Sequence, residues 1–213
     1  MINGVSRLHE LSELRRQEFR QTGVPSFDGM TGGLVRGGIC ELSGPDGSGK
    51  RGLALRMAAC STDRGGLCAV VDGTDGFDPI SAQGSGLSLS KTVWVRCGGD
   101  LTKSIMSTEY LVQSRLFDLI WLDLGGFGER ELAMLPSSYW YRFKVGLQGS
   151  PTSLVVTAGE PRVRSAAQQT FRLERRHSSW DGEGNFKILE RIESVVECVR
   201  PFPSSVTMSF SSG

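Results

Sequence analysis

Histidine is nearly absent from this chain and lysine is scarce. The two histidines, His9 and His177, lie far apart, so no pair sits at zinc-ligand spacing and no metal site is expected. Lysine is confined to Lys50, Lys91, Lys103, Lys144 and Lys187 within a combined 24 Lys and Arg, and 23 acidic residues leave a formal net charge of +1. Charge alone therefore gives no polyanion-binding signal. The five cysteines (Cys40, Cys60, Cys68, Cys97, Cys198) contain no C-x-x-C pair. Three of them lie in or beside strand-like runs, where a thiol acts as a small hydrophobe. Their odd number, without a signal-peptide pattern, predicts a reducing, cytoplasmic setting. No apolar run approaches the ~18 residues of a membrane-spanning helix.

What is present is organised around Gly44-Pro45-Asp46-Gly47-Ser48-Gly49-Lys50-Arg51. An apolar run precedes it and a helix-compatible run follows, which is the context of a phosphate-binding P-loop. Glycines let successive backbone N–H groups and a helix N-terminus face one anion, and Lys50 adds a point charge. The last position departs from the pattern: Arg51 stands where Ser or Thr would hold Mg²⁺. Such a loop suits phosphate binding and is poorly equipped for metal-assisted hydrolysis.

The 213 residues suit one domain. Strand-like runs at 39–43, 67–72, 92–96, 119–124 and 153–158 alternate with helix-compatible runs at 50–60, after Pro79, at 101–114 and at 129–147, the last broken at Pro136. This order predicts an α/β fold with a mostly parallel central sheet flanked by helices. Beyond Ala158, short alternating runs at 170–175, 186–192, 194–200 and 206–210 predict antiparallel strands at the C-terminal end. Residues 1–22 form a helical extension in this reading, with Leu8, Leu11, Leu14 and Phe19 along one stripe, either packed on the domain or docked on a partner. A core follows over 23–208, with a flexible tail at 209–213. Arg162 and Arg164, in a loop, are candidates for contact with nucleic acid or an acidic partner.

A P-loop enzyme also needs an acid at the end of a buried strand to orient hydrated Mg²⁺, and a group that positions the attacking water. Asp123, closing Leu119-Ile120-Trp121-Leu122, fits the first part. Asp72 or Asp75 are candidates for the second, and each fits a turn residue equally well. In 139–143, aromatic and basic residues mix as in single-strand binders, yet Trp140 and Phe143 share a helical face apart from Arg142, which favours packing.

Residues 36–50, 71–79, 86–89, 117–123 and 195–210 resemble the corresponding segments of RecA recombinases, a likeness over about residues 23 to 210. It implies a RecA-like P-loop core and places four departures on catalytic positions. The family's P-loop Thr is Arg51, its water-activating Glu is Thr74, its adenine-stacking Tyr is Ser81 and its γ-phosphate-sensing Gln is Ala158. The resemblance therefore implies no required cofactor: ATP or ADP would sit on residues 44–51, with Mg²⁺ held weakly or not at all. Residues 122–125, 135–143 and 152–161 further resemble the ImuA family of bacterial mutagenesis cassettes. That likeness implies a non-hydrolysing accessory protein of DNA-damage-induced translesion synthesis, partnered by ImuB, an error-prone replicative-type polymerase and RecA, with any DNA contact indirect. A working DNA-dependent ATPase and a regulator capping RecA filaments stay open as alternatives.

Overall fold

The computed structural model describes residues 18–181 and 188–211. Eight strands form the main sheet. Numbered along the chain after a small β1 (Phe19–Arg20) and β2 (Leu34–Val35), they are β3 (Ile39–Ser43), β4 (Cys68–Asp72), β5 (Thr92–Arg96), β6 (Leu119–Asp123), β7 (Ser153–Ala158), β8 (Gln169–Asp181), β9 (Ile188–Arg200) and β10 (Ser204–Ser211). Their spatial order is β10-β9-β8-β3-β7-β6-β4-β5. Pairing from β8 through β5 is parallel, and β8–β9 and β9–β10 are antiparallel.

Every residue of β3, β4, β6 and β7 is buried, as expected of parallel strands covered on both faces. Side chains alternating along them feed two cores. One holds Phe27, Leu42, Leu53, Met57, Trp121 and Phe171; the other holds Ile105, Ile120, Leu122, Trp140, Phe143 and Leu154. The helices are α1 (Pro25–Thr31), α2 (Lys50–Asp63), α3 (Pro79–Gly84), α4 (Leu101–Ser114), α5 (Glu129–Ala133) and α6 (Ser138–Leu147). Asp78 and Asp100 cap α3 and α4 by accepting backbone N–H groups, and Pro136 falls in the break between α5 and α6. Among the described residues no helix is long and apolar enough to cross a membrane.

Several expectations need correction. The runs at 186–192 and 194–200 are not separate strands, because β9 passes unbroken through Glu193. Residues 209–211 are not a tail: β10 continues through Ser211 against β9. The N-terminal extension is not helical up to residue 22, since Phe19 and Arg20 pair with Val35 and Leu34 as strands. Thr22 is buried and its N–H donates to Asp28. The segment between 21 and 38 contains α1, which begins at Pro25 and stops at Gly32 in the left-handed region. Leu8, Leu11 and Leu14, like residues 182–187, lie outside the described residues.

Candidate phosphate site

The loop at 44–49 leaves the C-terminal end of β3 and enters α2, whose N-cap is Gly49 at φ 84°. Gly44 is obligatory, because a Cβ there would lie 2.2 Å from the Leu173 carbonyl oxygen of β8. Lys50 is 4% exposed and folds back, its Nζ donating to the Pro45 carbonyl at 3.2 Å and to Asp46 Oδ1 at 3.1 Å. That hydrogen bond holds the Asp46 carboxyl below the usual carboxylate range. Ser48 is fully buried, and its Oγ has no hydrogen-bond partner among the described residues.

Asp123 ends β6, directly paired in register with Thr157 of β7, on the side facing α2. Its Oδ1 accepts the Thr157 hydroxyl at 2.7 Å and the Gly125 N–H at 3.0 Å. Trp121 Nε1 in turn donates to Thr157 Oγ1 at 3.0 Å. The other carboxylate oxygen, Oδ2, lies 2.7 Å from Arg51 Nε. Burial pushes the Asp123 carboxyl up, while Arg51, the Gly125 N–H and the Thr157 hydroxyl pull it back. Arg51 also donates from Nη2 to the Gly125 carbonyl at 3.3 Å. A Cβ at Gly76 or Gly125 would meet Nη2 of this guanidinium at 2.7 Å or 2.8 Å, so a larger residue at either position makes the arginine shift.

A divalent cation does not fit these residues. The hydroxyl that would ligate it is replaced by a permanent cation, and the acid that would orient its water shell is already paired with that cation.

The other candidates are equally committed. Thr74 donates its hydroxyl to the Gly125 carbonyl at 2.6 Å. Asp72 is fully buried and accepts N–H groups from Gly76, Phe77 and the Trp94 indole, so it organises a turn. Asp75, at φ 57°, pairs with Arg96 at 3.1 Å. Ser81 donates to Asp78 in the α3 cap, and Ala158 is buried at the end of β7. Arg162 pairs with Glu129 and is drawn inward, whereas Arg164 is exposed. Phe19 lines a small groove with Met30, Pro201 and Phe202. Among the described residues no group of three or more His, Cys, Asp or Glu side chains is placed to hold a metal. Burial pushes the Cys68 thiol up to about 12 and Cys40 well above its ordinary value, as suits thiols used as packing.

Three neighbours of the loop went unnoticed in the sequence: Thr157, Arg175 and Phe210. Arg175 of β8 reaches the loop, its Nη1 3.2 Å from the place of a Gly47 Cβ. The Phe210 ring of β10 packs against Gly49 and Gly52. No local motif marks these residues, since the strand order alone brings 157, 175 and 210 beside 44–51.

A glycine-rich loop after a central parallel strand, faced by an acid at the end of β6, defines a P-loop fold of the RecA-like class. The RecA N-terminal domain family matches residues 10–126, more than half of the chain, and the chain belongs to that family. It is 40% identical over 93 residues to RecA of Rhodospirillum rubrum, covering 43% of this chain and 25% of that protein. With RecA of Bartonella bacilliformis it shares 38% over 121 residues, covering 56% and 35%. The aligned part thus spans about a third or less of these relatives. The RadB recombinase shares the fold, with a TM-score of 0.66 at 18% identity over 88% of this chain and 94% of that one.

Proposed function

We propose that this chain is a RecA-like protein that does not hydrolyse ATP and serves as an accessory scaffold in DNA-damage-induced translesion synthesis. The observation that carries the reading is the 2.7 Å contact between Arg51 and Asp123. Phosphoryl-transfer enzymes work almost wholly by positioning and electrostatics. Here the two groups that would organise the metal neutralise each other. The carboxylates nearest the missing water-positioning Glu are occupied by backbone N–H groups or by Arg96.

The choice of process and partners rests on the resemblance of residues 135–143 and 152–161 to ImuA. On that basis the partners are ImuB, an error-prone replicative-type polymerase and RecA. The open strand β5, with Val93 and Trp94 exposed, offers main-chain groups to such a partner.

A turnover assay tests the central claim. Purified protein with ATP and Mg²⁺, with or without single-stranded DNA, is expected to release no more phosphate than Lys50→Ala. Phosphate release that disappears in Lys50→Ala means instead a working ATPase.

A further inference from the structure

We propose that the groove between α4 and α6 seats the chain's own N-terminal segment, with Leu8, Leu11 and Leu14 filling it. The proposal stands apart from the non-hydrolysing reading and from the choice of partners.

The groove has a volume of 530 Å³ and lies over the core that holds Val112 and Phe143. Its floor is where the two helices come closest: a Cβ at Gly146 would lie 2.8 Å from Val112 Cγ1. Tyr141 and Val145 form the α6 wall and stay 47% and 64% exposed. A hydrogen bond of 2.7 Å between the Tyr141 and Ser165 hydroxyls fixes the ring. On the α4 side Glu109 pairs with Arg142. An apolar channel edged by polar side chains accepts an amphipathic helix through regularly spaced leucines.

The place where the described chain begins selects the occupant. Residues 1–17 lie outside the described residues and join at Glu18. Glu18 lines a cavity together with Lys144 and Gln148, which puts it beside the last turn of α6, next to Val145. From Glu18 back to Leu14 is at most about 14 Å of extended chain, enough to bring Leu14 to that end of the groove. As a helix, Leu8 to Leu14 covers about 9 Å and the 10 residues of α6 about 15 Å. All three leucines then fit along the groove, running parallel to α6, and their spacing keeps them on one face. The other apolar groove, at Met30, Pro201 and Phe202, has only 210 Å³ and already has Phe19 in its lining. Seated this way, the segment covers Tyr141 and Val145 and withholds its leucine stripe until a partner competes for it.

A disulfide trap in the full chain tests this. Leu11→Cys with Val145→Cys is compared with Leu11→Cys with Val93→Cys. Val93 is exposed on edge strand β5, two strands beyond β6, so chance collisions of the tethered segment set the control rate. With oxidised glutathione, the first pair is expected to close at least about tenfold faster than the second, because the seat raises the local concentration of one thiol at the other. The product should be a monomer, formed at a rate unchanged by dilution. Peptide mapping identifies the bonded pair, since Cys60 is partly exposed. Adding Leu8→Asp and Leu14→Asp should bring the first pair down to the control rate. Val145 and Val93 lie outside the core, and a thermal melt of each variant confirms folding. Equal rates for the two pairs overturn the proposal. So does a bond that forms only between chains and fades on dilution, which gives the groove to a second copy.

Discussion

Glu41 sits in the middle of β3 with no exposure to solvent. Its Oε1 accepts the N–H groups of Arg162 and Val163, pinning the loop after β7 to the central strand. Oε2 has no partner among the described residues. Burial raises this carboxyl above its ordinary value of 4.5, and the two N–H groups and Arg162 only partly oppose it. The sign of the consequence follows. A carboxyl raised by folding stabilises fully while protonated in both states, and that contribution is lost as pH rises through the folded value. Glu41→Gln keeps the acceptor oxygen and removes the titration. Its melting temperature relative to wild type should therefore improve as pH climbs from 4.5 toward neutrality, and a pair of melting series checks this. At this scale the sequence was only partly legible. Arg51 and Asp123 stood out singly, because each occupies a known slot in a pattern. Their mutual contact was not readable, since it depends on α2 packing beside β6.

Among the elements, α6 settles what its aromatic residues do. Trp140 and Phe143 are 3% and 1% exposed and meet edge to face at 5.8 Å between centroids. Arg142 points outward to Glu109 and over the Tyr139 ring. Phe143→Ala should cost about 3 kcal/mol or more, the usual penalty for an emptied aromatic site. Arg142→Ala should stay within about 1 kcal/mol, as for an exposed ion pair. Chemical denaturation of both variants measures the difference. Elements with a clean signal were legible from the sequence: Ser153–Ala158 as a strand through its apolar run, Leu101–Ser114 as a helix-compatible run between two strands. β9 was divided in that reading because its alternation is interrupted; a bulge in β8 between Arg175 and His177, and one in β9 opposite Ser179 and Trp180, absorb the mismatch. β1 and β2 have two residues each, too few for any periodicity.

Among the described residues the molecule is a sheet with a hydrophobic core on each face and with β5 and β10 as its edge strands. The N-terminal chain joins it through β1, the 2.7 Å pair of Arg20 with Asp118 and the pair of Glu18 with Arg36. A deletion of residues 1–17 stops short of all three contacts. It is expected to leave the melting temperature within about 3 °C, the shift that a change of about 1 kcal/mol produces in a domain this size. Affinity for RecA or ImuB should fall at least about tenfold, equivalent to 1.4 kcal/mol. Unchanged affinity for both partners would remove the docking role from this segment. Strand order was beyond the sequence because pairing between distant segments leaves no local trace, whereas the parallel sheet itself was legible from strand–helix alternation.

The fit around Arg51 also constrains how this chain can change. Gly76 and Gly125 leave room for the guanidinium where a methyl group would collide, and Asp123 depends on it for neutralisation. Any substitution at 51 exposes a buried carboxylate to solvation loss, and any enlargement at 76 or 125 dislodges the arginine. Substitutions at these four positions are therefore strongly coupled. Arg51→Thr leaves the buried Asp123 carboxylate without its cation, so protonation or another bound cation must take over the charge.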